Sequence, residues 1–225
     1  MTVLVLSAHP DDAEIAMGGT MAALHDRGTQ VVVSCFTVSE RDQDARLRRC
    51  AAAEKAAEVL GHRLEWVRGG AYDQVEEIRD SELVGLIDTE VERWDPTTIV
   101  THWEGDSHAD HVRLARATIS ASRRCSGRTF LQFGPNEYRT PAYAEFAPQL
   151  YSRISQAQLD VKLRALAVYV KANLGVRELE LDAIALIARA RGLEAGTELA
   201  ETYRLVRQRI DVRDPNNWLM QNPFG

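Results

Sequence analysis

The stretch Val3-Leu4-Val5-Leu6-Ser7-Ala8-His9-Pro10-Asp11-Asp12-Ala13-Glu14 changes character within a few residues. It begins as a short apolar run, typical of a buried β-strand, and ends in a histidine, a proline and two adjacent carboxylates. In open α/β sheets, ligands bind in the loops at the carboxyl ends of the strands. Imidazole and carboxylate groups both suit zinc. The stretch therefore predicts either a metal-binding loop or an ordinary turn whose aspartate caps the next helix.

Short apolar runs and longer helical patterns alternate along the chain. Buried strands are predicted at 30–36, 63–67 and 97–101, with helices at 17–28, 42–60 and 81–94. After residue 127 the pattern is looser, with strands predicted at 129–133 and 149–154 and helices at 155–171 and 179–191. Such alternation predicts a mostly parallel sheet with helices on both faces. We expect an α/β fold, a Rossmann-like three-layer sandwich that residues 1–225 form as a single domain.

Composition and charge argue against several classes of protein. The formal net charge of -6 disfavours a nucleic-acid partner, which would need clustered lysine and arginine. The three cysteines are widely spaced, so neither a disulfide framework nor a thiolate zinc site is expected. No apolar run approaches the ~18 residues of a membrane-spanning helix, and no leader segment is recognisable. We therefore expect a cytoplasmic protein without a membrane span.

Two segments in the second half lack periodicity. Residues 134–148 contain several prolines and tyrosines and are predicted to shape a pocket rim and to set specificity. Residues 214–220 carry apolar side chains, so they are expected to dock on the body of the protein or on a neighbouring subunit. A homo-oligomer is therefore one of the two alternatives for this end of the chain.

A second polar cluster follows the fourth predicted strand, and it reads His102-Trp103-Glu104-Gly105-Asp106-Ser107-His108-Ala109-Asp110-His111. Ser107 and Asp110 have the spacing of a capping box, which predicts a helix from about His108 to Ser122. His108 and His111 are three residues apart, so both would lie on one face of that helix, about 5–6 Å apart. Both polar loops follow strands, so they should lie along one edge of the sheet.

Together the two loops offer a set of metal ligands. His9, Asp12 and one of His108 or His111 would make three ligands with an open fourth position, the arrangement of catalytic rather than structural zinc. Three further histidines have no evident partner and are expected to be structural or surface residues: His25, His62 and His102.

These loops resemble the hallmark motifs of the PIG-L/LmbE-like zinc-dependent N-deacetylases. That family has an A-H-P-D-D-x-E loop near its start and an H-x-D-H turn near its middle, which match Ala8–Glu14 and His108–His111 here. The resemblance implies a hydrolase that removes an acetyl or other acyl group from the amine of an amino sugar or glycoconjugate. Zinc would lower the pKa of a water to ~7 and polarise the amide carbonyl, and iron (Fe²⁺) is the alternative ion.

The resemblance also implies roles for single residues. The zinc ligands would be His9, Asp12 and His111, and the general base would be Asp11. His108, supported by Asp110, would stabilise the oxyanion or protonate the leaving amine.

Weaker matches cover more of the chain. Arg49 and Asp73 take positions that imply contacts to the substrate, and Glu14 is expected to orient a metal ligand from behind. The segment Thr37-Val38-Ser39-Glu40 parallels a T-x-G-E motif of the family. Departures from the family pattern are Ser39 in place of glycine, Ala52 in place of glutamate, and Lys171-Ala172-Asn173 in place of histidine-serine-glutamine. These departures leave the substrate open.

Two alternatives come from other classes. The run from Asp106 to His111 is one residue away from H-x-H-x-D-H, the motif of metallo-β-lactamase-like hydrolases, in which a second metal would lie beside the first. That reading leaves the His-Pro-Asp-Asp loop without a role. The other alternative is a non-catalytic sugar-conjugate-binding protein, and the intact Asp11 and His108 count against it.

Overall fold

The computed structural model describes residues 1–125, 127–135, 144–172 and 180–208. Seven strands are present: β1 (Thr2–Ser7), β2 (Gln30–Cys35), β3 (Arg63–Trp66), β4 (Thr98–Thr101), β5 (Thr129–Phe133), β6 (Leu150–Arg153) and β7 (Ala200–Arg207). Six α-helices accompany them: α1 (Asp12–Asp26), α2 (Gln43–Leu60), α3 (Asp80–Trp94), α4 (Ala109–Ala121), α5 (Gln156–Lys171) and α6 (Leu181–Glu194).

All seven strands belong to one sheet in the order β3-β2-β1-β4-β5-β7-β6. The first five strands pair in parallel, and β7 is antiparallel to both of its neighbours. This arrangement confirms the predicted α/β fold with a mostly parallel sheet. Among the described residues, no helix has the length and apolar character needed to cross a membrane.

The sheet is buried on both faces, because successive side chains of a strand point to opposite sides. On β1, Val3 and Val5 pack into a cluster with residues of α1, α2 and α5. Leu4 and Leu6 pack on the other side, with residues of α3 and α4. The continuous apolar run at the start of the chain is therefore the centre of a three-layer sandwich.

The pairing of β1 with β4 brings the two polar loops together. These strands are adjacent and parallel, with Leu6 opposite Thr101, so both loops leave the sheet at the same edge. Helix α4 begins immediately after the second loop and packs against α3. This topology places residues about a hundred positions apart in one site.

Two predictions about elements were wrong. The first helix starts at Asp12 rather than near Met17, and Met17 is a break in it, with φ −141° and ψ 20°. The strand β7 was not predicted at all, because five of its eight residues are charged or hydroxyl-bearing and do not alternate with apolar ones. Its buried Glu201 accepts hydrogen bonds from the backbone N–H groups of Gly19 (2.9 Å) and Thr20 (2.6 Å), just after the break. The segment 214–220 lies outside the described residues.

Candidate active site

The loop after β1 is held in a fixed shape by its own hydrogen bonds. Asp11 has a φ of 88°, in the left-handed region, where aspartate is one of the few tolerated residues. The N–H of His9 donates to Oδ2 of Asp12 at 2.8 Å. Thr37, at the end of β2, donates from both its backbone N–H (3.0 Å) and its hydroxyl (2.9 Å) to the carbonyl of Ala8. The loop is therefore anchored to the neighbouring strand as well as to its helix.

The three residues predicted as metal ligands meet in space. Nδ1 of His9 is 3.4 Å from Oδ2 of Asp12, Nε2 of His111 is 3.3 Å from Oδ1 of Asp12, and the two imidazole nitrogens are 3.3 Å apart. Zinc bonds of about 2.0–2.1 Å at tetrahedral angles place ligand atoms about 3.3–3.4 Å apart. The donor atoms therefore have both the chemistry and the spacing that suit such an ion.

Two further histidine rings lie against this group. The ring centroid of His108 is 4.7 Å from that of His9 and 4.4 Å from that of His111. The ring of His102 stacks on His111 at 4.0 Å. The sets His9, His108, His111 and Asp12, His102, His111 each have donor atoms close enough for a metal ion. His102, expected to be structural or on the surface, therefore lies buried at the centre of the site.

Hydrogen-bond direction separates these sets. The N–H of Ala8 donates to Nε2 of His102 at 2.9 Å, so the lone pair of this nitrogen is engaged. The N–H of Asp110 donates to Nδ1 of His108 at 3.2 Å, so in a neutral ring Nε2 carries the proton. In the neutral rings, the remaining nitrogens, Nδ1 of His102 and Nε2 of His108, therefore carry protons and have no lone pair for a metal ion. In the set His9, Asp12 and His111, by contrast, the donor atoms face one another at 3.3–3.4 Å.

Two carboxylates stand behind the imidazole rings. Asp110 lies 3.0 Å from Nε2 of His9, and Asp106 lies 2.9 Å from Nδ1 of His111. Burial lowers the pKa of His111, but Asp12 and Asp106 outweigh it and raise that pKa to about 10. The negative charge that favours a proton on this ring also favours a cation beside it. Such carboxylate–histidine contacts orient metal ligands in many proteins.

The capping-box prediction for α4 was wrong. His108, rather than Ser107, is the N-cap residue, and its side chain accepts the hydrogen bond from the N–H of Asp110. The carboxylate of Asp110 contacts His9 and also accepts a hydrogen bond from the N–H of Glu76 at 3.1 Å. The backbone N–H of Asp110 therefore donates to His108, and its side-chain carboxylate contacts His9.

The environment of Asp11 raises the pKa of its carboxyl group. Burial raises the pKa of its carboxyl to about 7, although the nearby Arg49 guanidinium opposes the shift. Nη2 of Arg49 is 3.7 Å from Oδ2 of Asp11. A carboxylate with a pKa near neutrality can accept a proton and release it again at physiological pH.

The predicted substrate residues lie on the α2 side of this loop. Arg49 is only 5% exposed, and it donates to the carbonyl of Pro10 (3.4 Å) and to Oε1 of Glu40 (3.3 Å). Asp73 forms an ion pair with Arg46 at 2.6 Å. Arg49 is thus part of the wall beside Asp11 rather than a solvated helix face.

Behind the first turn of α1 lies a second buried polar cluster. Glu14 accepts a hydrogen bond from the hydroxyl of Tyr169 at 3.1 Å, and burial raises its pKa to about 7. Nε2 of His62 is 4.0 Å from the same carboxylate, and burial lowers the pKa of His62 to about 4. The contacts of Glu14 within the described residues do not support the prediction that it orients a metal ligand. His62 is a buried core histidine, in line with the structural role expected for it.

His102 and Asp106 lie in the site although neither was predicted there, and the sequence carries a signal for His102 only. His102 is the first residue after β4, and His9 is the second residue after β1, so both occupy the carboxyl edge of adjacent strands. Asp106 precedes His111 by five residues, a distance that only the loop geometry turns into a contact. Position at the strand end therefore carried information for His102, whereas the contact of Asp106 required the fold.

Comparisons with known proteins find chains that are similar in sequence and chains that are similar in structure. The Escherichia coli protein called uncharacterized deacetylase YaiS is 24% identical over 170 residues, which cover 73% of this chain and 88% of that protein. The N,N'-diacetylchitobiose deacetylase of Pyrococcus horikoshii superimposes with a TM-score of 0.71 at 20% identity, covering 91% of this chain and 83% of its own.

The same fold also occurs in a protein with another reaction. GalB of Pseudomonas putida, a 4-carboxy-2-hydroxymuconate hydratase, superimposes with a TM-score of 0.71 at 21% identity, covering 93% of this chain and 98% of its own. At such identities the superpositions establish the fold alone. The family model of PIG-L, described as GlcNAc-PI de-N-acetylase, matches residues 4–122, a segment that contains both polar loops. This chain belongs to the PIG-L family.

Proposed function

We propose that this chain is a metal-dependent N-deacetylase that hydrolyses the amide of an acetylated amino sugar or sugar conjugate. The observation that carries the proposal is the meeting of His9, Asp12 and His111 with donor atoms 3.3–3.4 Å apart, next to the carboxylate of Asp11. Family membership and the names of the relatives support the reaction class and the sugar substrate.

Zinc is the proposed ion, held by His9, Asp12 and His111. Two imidazoles and a carboxylate are ligands that zinc accepts, and ferrous iron accepts the same set. When bound there, the ion supplies a Lewis acid that polarises the amide carbonyl and lowers the pKa of a water. Asp106 and Asp110 hold the two imidazole rings in place from behind.

Asp11 is the proposed general base. The carboxylate of Asp11 contacts Arg49, whereas that of Asp12 contacts His9 and His111, so the two neighbouring carboxylates are suited to different roles. Asp11 would remove a proton from the attacking water and pass it to the amine as the C–N bond breaks. The nearby Arg49 guanidinium, 3.7 Å away, stabilises the charged form of Asp11.

His108 is the proposed oxyanion donor. Because its Nδ1 accepts the N–H of Asp110, the ring is neutral and presents the N–H of Nε2. A neutral imidazole in this tautomer donates a hydrogen bond to the oxygen of the tetrahedral intermediate. The geometry therefore favours the oxyanion role over protonation of the leaving amine.

Arg49 and Asp73 are proposed as contacts to the sugar. The Nε atom of Arg49 is buried without a hydrogen-bond partner within the described part of the chain, so it retains a donor for a ligand or a water. Asp73 is partly exposed, and its Oδ1 atom is fixed by Arg46. Both residues lie at loops on the carboxyl edge or on the helix beside it, where substrate enters in open α/β folds.

Neither alternative function is favoured by a contact in the site. In the metallo-β-lactamase-like scheme Asp106 would bind a second metal, but here it contacts Nδ1 of His111. The hydratase with the same fold shows that the fold does not select the reaction, so the assignment depends on the site residues. A non-catalytic role would not require Asp11 to lie beside the ligand group.

The proposal is tested by incubating the purified, zinc-loaded protein with N-acetylglucosamine conjugates and measuring free amine. We expect release of one amine and one acetate per turnover, and chelation of the metal should stop it. Zinc bound at one ion per chain without turnover on a broad panel of acetylated amino sugars would contradict the substrate class.

We further propose that residues 1–225 act as one domain in the cytoplasm. All three cysteines are free, which suits a reducing compartment. Light scattering of the full chain would measure whether it forms a homo-oligomer.

A further inference from the structure

An apolar pocket of about 230 Å³ lies between α1, α5, α6 and the start of β7. Most of its lining is carbon, contributed by residues such as Ile15, Ala16, Phe146, Ile187 and Ala188. Ala188 is buried, whereas Ile187 is 39% exposed and lies at the rim. The pocket is therefore open to solvent on the α6 side. We refer to it as the α1–α6 pocket.

Two walls of the α1–α6 pocket adjoin the candidate active site. Ile15 and Ala16 follow Asp12 by three and four residues on α1, which is about 4.5–6 Å along the helix axis. Gly134 lines another wall and directly follows Phe133, whose ring centroid is 4.8 Å from that of His102. The pocket lies at the same edge of the sheet as the proposed metal ligands.

The charged groups at this pocket already have partners. Nζ of Lys162 is 2.6 Å from Oε1 of Glu201, and both side chains are almost fully buried. Nη1 of Arg191 lies 2.8 Å from Oε1 of Glu194. The pocket thus offers a new ligand mainly apolar surface, and burial of alkyl or aryl carbon there is favourable.

We propose that the α1–α6 pocket binds an alkyl or aryl group of the substrate, attached either to the sugar or to the acyl carbonyl. This inference rests on the proposed function. A volume of about 230 Å³ compares with the ~30 Å³ that a water occupies in the liquid, so the pocket has room for roughly six to eight heavy atoms. Gly134, Pro135 and Phe146 line the pocket, and they belong to the described ends of the segment 134–148 that the sequence marks for specificity; residues 136–143 lie outside the described part of the chain.

The kinetic test compares three substrates: methyl N-acetylglucosaminide, hexyl N-acetylglucosaminide and methyl N-hexanoylglucosaminide. We expect one of the hexyl-bearing substrates to have a kcat/KM at least about tenfold above that of the methyl N-acetyl compound. Preference for the hexyl glycoside would assign the pocket to the group on the sugar, and preference for the hexanoyl amide would assign it to the acyl chain.

A matched pair of surface variants tests whether the preference for a hexyl-bearing substrate depends on the α1–α6 pocket. Ile187→Glu should reduce the preferred kcat/KM to the level of the methyl compound and leave the methyl compound unchanged. Leu186, the residue before Ile187 on α6, is 67% exposed and does not line the pocket. Leu186→Glu should therefore behave like the wild type. No preference for either hexyl substrate, or equal losses in the two variants, would overturn the proposal.

Calorimetric binding of hexyl glucoside, which has no amide, separates this proposal from the proposed function. We expect it to bind, and Ile187→Glu to weaken its affinity at least about fivefold. Binding without hydrolysis of any amide would support an alkyl-binding pocket and contradict the deacetylase. Hydrolysis without binding of the glucoside and without a preference for the hexanoyl amide would support the deacetylase and contradict the pocket.

Discussion

The backbone N–H of Ala8 donates a hydrogen bond to Nε2 of His102, with 2.9 Å between the two nitrogens. This bond joins the ends of β1 and β4 and fixes the backbone N–H of Ala8, the residue before His9. Since Nε2 accepts, the proton of the neutral ring is on Nδ1, which is buried without a partner among the described residues. An unsatisfied buried donor costs about 1–3 kcal/mol. His102 therefore fixes the site geometry through Nε2, while that buried Nδ1 donor lowers the stability of the fold.

We predict that His102 is a positioning residue whose acceptor atom matters. Glutamine can place a carbonyl oxygen near the position of Nε2, whereas asparagine reaches only the position of Nδ1. His102→Gln should retain zinc affinity within a few-fold, and His102→Asn and His102→Leu should lose about 10–100-fold in a chelator competition. Unfolding temperatures measured in parallel identify a general loss of stability. Wild-type zinc affinity in His102→Leu would show that this bond has no role in the site.

The contact of Asp106 with His111 gives a second prediction. Asp106→Ala should lower zinc affinity about 10–100-fold, because the ring of His111 loses the group that orients it. Asp106→Asn should recover part of the affinity, since its amide oxygen can still accept from Nδ1. Asp80→Ala removes an exposed carboxylate paired with Arg113 and is the control. Equal affinities in all three variants would refute a role for Asp106 behind the metal.

Asp11 is best replaced by asparagine, because its φ of 88° suits asparagine and would strain alanine. Asp11→Asn should reduce turnover by about 10²–10⁴-fold, the usual contribution of a general base. Zinc content should stay near one ion per chain, as measured by elemental analysis of the purified variant. Turnover within a few-fold of wild type would eliminate Asp11 as the base.

Buried His62 should make a destabilising contribution in acid, opposite in sign to that of Glu14 and Asp11, whose carboxyl pKa values burial raises to about 7. The pKa of His62 is lowered to about 4 by burial, while the unfolded chain binds the proton below about 6.5. The stability that neutral His62 contributes is therefore lost as the pH falls from about 6.5 to about 4, by roughly 3 kcal/mol in all. Urea unfolding gives the free energy of unfolding at pH 7 and at pH 4.5. The drop in this free energy between the two pH values should be smaller in His62→Leu than in the wild type, by about this amount. His25→Leu removes an exposed ring and should keep the wild-type drop; identical drops in all three proteins would contradict the prediction.

The sequence predicted the layers and the two polar loops because those features depend on local patterns. The buried run of β1 and the capping residues Asp42 and Ser155 of α2 and α5 are readable from neighbouring residues. The antiparallel strand β7 was missed because the partners of its Glu201 are Gly19, Thr20 and Lys162, all distant in sequence.

The site shows the same division. His9, Asp11, Asp12 and His111 lie in short motifs, so the residues pointed to the two loops, and the resemblance to the family implied the choice of His111 and the role of Asp11. The acceptor role of His102 and the partners of the two supporting carboxylates depend on how β1, β4 and α4 meet. Ser39 illustrates a third case: its φ of 59° is in the left-handed region that glycine adopts without strain, which explains why glycine suits this position of the motif.

X-ray absorption spectroscopy of the zinc-loaded protein tests the central claim most directly, because it reads the ligands of the ion itself. The account predicts one zinc per chain with nitrogen and oxygen neighbours at about 2.0–2.1 Å, no sulfur neighbour, and loss of the ion in His111→Ala. A sulfur shell at about 2.3 Å, two ions per chain, or full zinc occupancy in His111→Ala would contradict it.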